Sequence, residues 1–276
     1  MIVISLFRTC QPQPPLSTFI NIFWLYQGYH PPHEMERVLP DGSMGLVINL
    51  KEDSIKVYDQ KNHVRFKSFR GSLISGPHSS VAVIDTACQA STMGVHFKPG
   101  GTFPFVRLPA DELRNDHVSL DAILGSKAAE IREQLIEAET PTIKFQILQQ
   151  YLMEMITKAS APHPAVVFAL KKFQLSPSSV KIADVTEQIS LSSRRFIQVF
   201  KEEVGLTPKQ FCRVQRFQNV LRSIKGGEQV DWTDIALSCG YYDQAHFIHD
   251  FRSFSGLSPT TYHSRQGKQQ NHVPLG

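Results

Sequence analysis

The chain has 276 residues and a formal net charge of +4, and 41% of its residues are hydrophobic and 20% charged. These values exclude a disordered chain, a collagen-like repeat and a small disulfide scaffold. At about 150 residues per domain, the length predicts two domains that each bury a core. No apolar run approaches the roughly 20 residues that span a bilayer. A signal peptide is not expected, because the N-terminus lacks an early basic cluster and a small-residue cleavage site.

The positive charge is unevenly distributed along the chain. Residues 1–164 hold 15 Lys and Arg against 16 Asp and Glu, whereas residues 165–276 hold 14 against 9. The C-terminal part therefore carries the whole excess, which favours an anionic partner for that part.

The cysteines are too far apart in sequence for a CxxC redox or zinc pair. We expect reduced, mostly buried thiols and a cytoplasmic location. The four residues are Cys10, Cys88, Cys212 and Cys239.

The first domain is predicted to be β-rich. Residues 1–18 are predicted to be a leader broken by prolines at 11–15, although its first ten residues suit either a ragged end or a first strand. Short apolar runs cut by turn residues then predict a domain over 19–160 that is an antiparallel sandwich or a small, cupin-like barrel. The predicted strands are 19–26, 45–50, 55–58, 63–66, 72–74, 81–86 and 93–97.

Helical periodicity replaces this pattern after Leu108. Residues 126–138 and 142–159 are predicted to form a helix hairpin joined at Thr140-Pro141. A second domain over 165–266 is predicted to be all helix, and 267–276 a flexible tail. Its predicted helices are 165–173, 180–188, 193–202, 207–224, 232–238 and 244–254, with a break at Gly226-Gly227 and a last short helix that begins at Ser258-Pro259.

An internal repeat is the most specific feature of the sequence. The motif Gly205-Leu206-Thr207-Pro208 recurs 51 residues later as Gly256-Leu257-Ser258-Pro259. The same offset relates the phenylalanines at 196 and 200 to those at 247 and 251, and the helix caps Ser192 and Asp243. Each phenylalanine pair lies on one helical face, so we expect it to hold a second helix onto a first.

A short capped helix after a tight turn, with a polar face, is typical of a helix–turn–helix. The pattern therefore predicts two such units joined by a helix of about 17 residues, which spans about 25 Å. That length is compatible with two recognition helices one duplex turn apart. A protein-binding helical bundle remains the alternative on periodicity alone.

Residues from about 181 to 264 resemble the AraC/XylS family of bacterial transcription regulators. The resemblance rests on Asp231-Trp232-Thr233-Asp234-Ile235-Ala236, on Gly240-Tyr241-Tyr242-Asp243-Gln244-Ala245-His246-Phe247 and on Gly256-Leu257-Ser258-Pro259. The first unit departs at Val185, where a small residue is usual. Residues 20–160 resemble the sensor domain of one subgroup through short motifs at 37–42, 94–101 and 120–121.

The resemblance implies base contacts from the exposed face of each recognition helix. Arg pairs bidentately with guanine and Gln with adenine, and Ile contacts the thymine methyl group. The implied base-contacting residues are Arg194, Ile197, Gln198, Gln244, Ala245, His246, Ile248 and His249. The candidates for phosphate contacts are Ser193, Arg195, Lys201, Lys209, Arg213, Arg216 and Arg252. For any single phosphate candidate, plain solubility is an equal alternative.

The N-terminal domain gives fewer signals. Its histidines have no metal-ligand spacing, and no nucleophile elbow, Walker loop or dinucleotide motif is present, so we expect no metal, cofactor or catalytic residue. An effector pocket that uses Arg37, His78 or His96 is the default expectation. The resemblance implies double-stranded DNA, RNA polymerase and an unknown small-molecule effector as partners, with a possible homodimer, no membrane, and activation rather than repression.

An alternative of another class is a small-molecule-binding or enzymatic β-domain fused to a helical DNA-binding module, such as a DNA-repair methyltransferase. That class needs a reactive cysteine, and Cys88 lacks the neighbours of one.

Overall fold

A computed structural model describes residues 6–156, 161–175, 182–224, 230–267 and 269–275. The predicted Gly226-Gly227 break, the last residues of predicted helix 142–159 and the first residues of predicted helix 180–188 lie outside these ranges. None of the described helices is both long enough and apolar enough to cross a bilayer.

The β-rich part forms two antiparallel sheets that do not close into a barrel. The strands are β1 (Leu6–Cys10), β2 (Ile20–Gln27), β3 (Met35–Val38), β4 (Gly45–Asn49), β5 (Ser54–Tyr58), β6 (Phe66–Arg70), β7 (Ser72–Ser75), β8 (Ala82–Asp85), β9 (Ser91–Phe97), β10 (His117–Ser119) and β11 (His272–Pro274). The first sheet has the order β1-β2-β9-β4-β7-β10, and the second has the order β11-β3-β8-β5-β6.

Alternation along the strands separates two apolar layers. In β2, Phe23 and Leu25 are fully buried with the helix hairpin on one face of the first sheet, whereas Trp24 lines a cavity on the other face. Residues two apart share a face in a strand, so this division follows from the sequence pattern. The hairpin helices are α1 (Leu120–Leu124), α2 (Lys127–Glu137) and α3 (Pro141–Met155).

The C-terminal part is helical up to its last strand. Its helices are α4 (Pro164–Leu175), α5 (Ile182–Thr186), α6 (Ser193–Val204), α7 (Pro208–Ser223), α8 (Trp232–Ser238), α9 (Gln244–Ser255) and α10 (Pro259–Arg265). We call α5 and α6 the first unit, and α8 and α9 the second unit.

The predicted caps of the second helix of each unit are confirmed. The Ser192 and Asp243 side chains accept backbone N–H groups of the first turns of α6 and α9. Both helices end at a left-handed glycine, Gly205 with φ 81° and Gly256 with φ 70°. An L-residue with a Cβ is strained in this conformation, so glycine ends the helix at little cost.

The predicted phenylalanine pairs are also confirmed. Phe196 and Phe200 have ring centroids 5.7 Å apart, and Phe247 and Phe251 lie 5.8 Å apart. All four side chains are fully buried in one core cluster of the helical part. The pairs hold α6 and α9 against the rest of their units and leave the opposite faces to solvent.

Of the two alternatives for the first ten residues, the first strand is confirmed at Leu6–Cys10, which pairs antiparallel with β2 along its whole length and is therefore not a leader. The predicted strand 63–66 is displaced, because the Asp59 carboxylate accepts the backbone N–H groups of Lys61 and Asn62 and makes a turn there. The strand begins only at Phe66.

The flexible-tail prediction over 267–276 is wrong for His272–Pro274. This segment adds to the edge of the second sheet as β11, paired antiparallel with β3. Val273 is fully buried in the core cluster of the helical part. A strand from the C-terminal end therefore joins the helical part to the β-rich part.

Candidate nucleic-acid interface and ligand cavity

The exposed face of α6 carries the first set of predicted base-contacting residues. Arg194 and Gln198 are exposed, and the Ile197 side chain is 38% exposed. Gln198 Nε2 donates to Glu202 Oε1 at 2.8 Å, one turn along the same helix. These three side chains lie opposite the buried phenylalanine pair and are available to a partner.

The exposed face of α9 carries the second set. Gln244, Ala245 and His246 are exposed in its first turn, and His249 follows one turn later. Ile248 differs from the prediction, because it is half-buried and packs against the core cluster. Its side chain therefore contributes to the hold of α9 on the unit more than to the exposed face.

The predicted phosphate contacts divide into two groups. The exposed members form no ion pair with the described residues and comprise Ser193, Arg195, Lys209 and Arg252. The other three have protein partners. Lys201 Nζ lies 3.1 Å from Asp111 Oδ2 of the β-rich part, and Arg213 Nη2 lies 2.6 Å from Asp250 Oδ1. The Arg216 guanidinium lies over the Tyr241 ring, with 5.2 Å to the centroid.

Lys201, Arg213 and Arg216 therefore differ from the exposed candidates, and their contact with phosphate stays a prediction. Spacing on a helix placed them on polar positions, but the partners of Lys201, Arg213 and Arg216 come from other elements. Charged groups held in this way are less available to phosphate than exposed ones.

Two exposed side chains beside α9 were missed by the sequence prediction. Tyr242 is 88% exposed and directly precedes the Asp243 cap, and Leu237 is 58% exposed on α8. Large apolar side chains that stay in water beside a polar helix face are candidates for contact with a partner. Their positions, Leu237 near the end of α8 and Tyr242 in the turn before α9, were the available signal.

A cavity of about 510 Å³ lies between the two sheets. Apolar side chains of both sheets line it, with Trp24 and Val47 from the first and Val57 and Ile84 from the second. Residues 269–272 of the C-terminal segment also line it. A mostly apolar cavity of this size is typical of a small-molecule site.

The three predicted effector residues lie at different places. His78 and His96 line the cavity. Arg37 does not line it, and its Nη1 instead donates to the backbone oxygens of Pro274 and Leu275 at 3.2 and 3.4 Å. As an effector contact, Arg37 stays a prediction; it lies on β3, next to β11, where it binds the C-terminal strand.

His96 Nε2 and Asp41 Oδ2 lie 2.6 Å apart at one edge of the cavity. Burial opposes charge on both groups, but their mutual attraction outweighs it, raises the pKa of His96 and lowers the pKa of Asp41. His96 therefore binds the Asp41 carboxylate through Nε2, and its Nδ1 lies 3.3 Å from Asn21 Nδ2.

The histidines at 78 and 117 form a second polar group around Ser75, and His117 was not predicted as a site residue. Ser75 Oγ lies 3.1 Å from His78 Nε2 and 3.3 Å from His117 Nε2. Burial lowers the pKa of His78 to about 4 and that of His117 to about 3, so both rings are neutral at neutral pH. The two histidines lie 39 positions apart in the sequence, so spacing gave no signal of their contact.

The chemistry of Cys88 does not favour the methyl-transfer alternative. Its Sγ lies 3.4 Å from Asp85 Oδ2, and burial raises the pKa of the thiol to about 11. A reactive cysteine needs the thiolate, which an electropositive setting favours. The described residues also contain no group of three or more His, Cys, Asp or Glu side chains placed to hold a metal ion.

Two families match this chain. Residues 8–119 match a family described as a domain of unknown function (DUF6597), and residues 185–265 match one described as a helix-turn-helix domain. The HTH-type transcriptional activator RhaS of Escherichia coli is 36% identical over 84 residues, which cover 30% of this chain and 29% of RhaS. The helical part of this chain is therefore similar to AraC-type helix-turn-helix transcriptional regulators.

Other similarities extend further along the chain at lower identity. An uncharacterized HTH-type transcriptional regulator of Haemophilus influenzae is 25% identical over 126 residues, 42% of this chain and 42% of that protein. Among solved structures, apo ToxT of Vibrio cholerae is 13% identical with a TM-score of 0.46, covering 88% of this chain and 97% of that chain. The chain spans less than half of the length of either curated relative.

Proposed function

We propose that this chain is a sequence-specific DNA-binding transcriptional regulator of the AraC/XylS family that contacts two successive major-groove segments. The observation that carries the proposal is the repetition of one exposed helix face. α6 and α9 have the same caps, the same buried phenylalanine pair and the same glycine end, and each leaves polar side chains in solvent. A helix presented in this way fits the major groove.

Arg194 and Gln244 are the strongest candidates for base contacts, since each lies in the first turn of its helix and is exposed. Arg suits the acceptor pair of guanine and Gln the donor and acceptor of adenine. Ile197, Gln198, Ala245, His246 and His249 complete the two faces. Ser193, Arg195, Lys209 and Arg252 are the proposed phosphate contacts, because they are exposed around the same faces.

Activation is the proposed direction of control, and RNA polymerase and a second copy of the chain are the proposed protein partners. The name of RhaS, a transcriptional activator, supports activation. The cavity between the sheets supports control by a small-molecule effector, because its lining suits a ligand and includes part of the C-terminal segment.

A salt series on the full chain tests DNA binding. The ionic component of affinity falls with salt in proportion to the number of phosphates contacted. Lys209→Ala is expected to weaken binding evenly across sequences and to reduce the slope of log affinity against log salt by about one. Arg194→Ala is expected to cost about 1–3 kcal/mol on the preferred sequence and to relax one base position.

Glu187→Ala is a matched control, because Glu187 is an exposed residue just after α5 and outside the proposed faces. Unchanged binding and an unchanged salt slope in both Lys209→Ala and Arg194→Ala would overturn the proposed interface.

A further inference from the structure

The polar groups of the cavity restrict the charge of its ligand. No Lys or Arg is among the described residues that line it. The one carboxylate among the described lining residues, Asp41, is already engaged at 2.6 Å by His96 Nε2. A ligand with a net charge would lose its hydration without gaining an opposite charge, which is costly in an apolar site.

The Ser75 group offers hydrogen bonds to a neutral ligand. The Ser75 hydroxyl has one proton and two lone pairs, so it accepts an N–H from at least one imidazole Nε2 and can donate to the other. At least one of the two neutral rings is therefore protonated at Nε2 and has an acceptor at Nδ1. His78 Nδ1 is buried and has no hydrogen-bond partner among the described residues. A ligand hydroxyl or carbonyl that enters this group would instead exchange hydrogen bonds with Ser75, His78 or His117, which all line the cavity.

We propose that the cavity binds an uncharged, largely apolar molecule with a hydroxyl or carbonyl group, and that the C-terminal strand β11 must be in place for tight binding. The inference deepens the proposed function by naming the effector class and the route of control, and it rests on that function only for the link to DNA.

The C-terminal strand closes one side of the cavity. Leu39 N donates to Asn271 O at 2.9 Å, and Leu275 N donates to Met35 O at 3.0 Å, on either side of the β3–β11 pairing. Asn271 and His272 themselves line the cavity. Loss of the strand would therefore open the cavity to water.

The same wall is connected to α7, the helix between the two units. Gln218 Nε2 donates to Pro40 O at 2.8 Å and to Asn271 Oδ1 at 3.1 Å, and Gln215 Nε2 donates to Asp41 O at 2.8 Å. Pro40, Asp41 and Asn271 all line the cavity. A ligand that orders this wall therefore orders the contacts of α7 and of the C-terminal end.

Ligand binding and the pairing of β11 with β3 are thermodynamically linked. If the strand in place strengthens ligand binding by some factor, bound ligand favours the paired strand by the same factor. Both base-contacting faces remain exposed while the strand is paired. The paired state is therefore compatible with DNA contact, and ligand is expected to fix the two units relative to each other rather than to cover them.

The first experiment measures ligand class by calorimetry on the full chain at neutral pH without DNA. The probes are decanol, naphthylmethanol and cyclohexylmethanol, each beside the carboxylate and the amine of the same skeleton. We expect at least one alcohol to bind about tenfold or more tightly than its charged counterparts. His78→Leu is expected to weaken the binding of that alcohol by about three- to tenfold. The affinity for naphthalene, which lacks the hydroxyl, is expected to stay the same. Absence of binding by every alcohol, or equal binding of a carboxylate, overturns the ligand class.

The second experiment measures the role of the strand with the same alcohol. Val273→Asp places a charge at a fully buried position of β11, and Gly267→Asp places it at an exposed position where an added Cβ meets no atom within 4 Å. We expect Val273→Asp to weaken the binding of the alcohol by about tenfold and Gly267→Asp to leave the affinity unchanged. Arg37→Ala is a second variant, because it removes the hydrogen-bond donor to Pro274 and Leu275. It is expected to lower the affinity for the alcohol by less than Val273→Asp does.

Hydrogen exchange measures the reverse effect, that of the bound ligand on the pairing of the strand. Bound alcohol is expected to slow exchange of the Leu39 and Leu275 amides by the factor that Val273→Asp loses in affinity. Equal affinity in Val273→Asp and Gly267→Asp, or exchange that ligand does not change, overturns the role of the strand. These measurements contain no DNA, so a chain that binds the alcohol but not DNA contradicts the proposed function alone.

Discussion

The second helices of the two units, α6 and α9, share their caps and their buried phenylalanines but differ in how the rest of the molecule holds them. The end of α6 meets the β-rich part, where Lys201 pairs with Asp111. α9 is held from within the helical part, because its Asp250 is 2% exposed and paired with Arg213 of α7. The second unit continues into β11, which binds β3.

The repeat makes this difference visible at one position. Asp250 lies 51 residues after Val199, and both side chains are buried. The first unit thus packs an apolar side chain where the second has a buried carboxylate with a partner on another helix. Local features that build a helix–turn–helix are repeated, whereas features that attach it to its surroundings are specific to each copy.

The largest expected effect on stability concerns the buried phenylalanines that the two units share. Phe200→Ala and Phe251→Ala each remove a fully buried ring from an equivalent place, and each is expected to lower the free energy of unfolding of the helical part by about 3–5 kcal/mol. Urea unfolding measures both. A loss below about 1 kcal/mol in either variant would show that the two phenylalanine pairs do not do the same work.

A pH effect is expected in the attachment of the second unit. Burial alone would raise the pKa of Glu36, but hydrogen bonds from His272, Tyr29 and His33 outweigh it and lower the pKa to about 2 from 4.5. A carboxyl whose pKa falls on folding stabilises the folded state above its unfolded pKa. This contribution, at most about 3 kcal/mol, is lost as pH falls from about 4.5 to about 2.

Glu36→Gln is the control for that effect. Unfolding free energies of the native chain and of Glu36→Gln, measured in steps of pH, are expected to converge as pH falls through this window. A constant difference between the two chains would contradict the ionised, hydrogen-bonded state of Glu36.

The buried ion pair of the second unit gives the next effect. Asp250→Val copies the first unit but leaves the Arg213 side chain, which is 38% exposed, without its carboxylate. We expect the free energy of unfolding to fall by about 2 kcal/mol. This is less than for a fully buried pair, because water reaches Arg213. The double variant Asp250→Val with Arg213→Met is expected to recover at least half of the lost free energy of unfolding. If the single variant unfolds at the same urea concentration as the native chain, the pair does not stabilise the second unit.

The smallest effect concerns the caps. Ser192→Ala and Asp243→Ala each leave an N-terminal backbone N–H without its side-chain acceptor and are expected to cost about 1 kcal/mol. Ser193→Ala, one residue inside α6, serves as the comparison because the Ser193 side chain is exposed and does not cap the helix. Equal stability of Ser192→Ala and Ser193→Ala would contradict the capping role.

The predictable features are the local ones. Caps, left-handed glycines and phenylalanine pairs act over a few residues, so spacing alone located them. The β3–β11 pairing joins residues more than 230 positions apart, and a segment with one buried apolar side chain, Val273, has no period to reveal it. The partners of Arg213 and Arg37 could not be predicted for the same reason, since they lie on distant elements.

Selection of bound duplexes from a random pool, with the full chain and two single variants, tests the central claim most directly. The account predicts two specified base blocks separated by about one turn, 10–10.5 base pairs. Arg194→Ala is expected to relax a position in one block only, and Gln244→Ala a position in the other only. A single block, or two blocks that both variants relax together or leave intact, would contradict recognition by two helices of one chain.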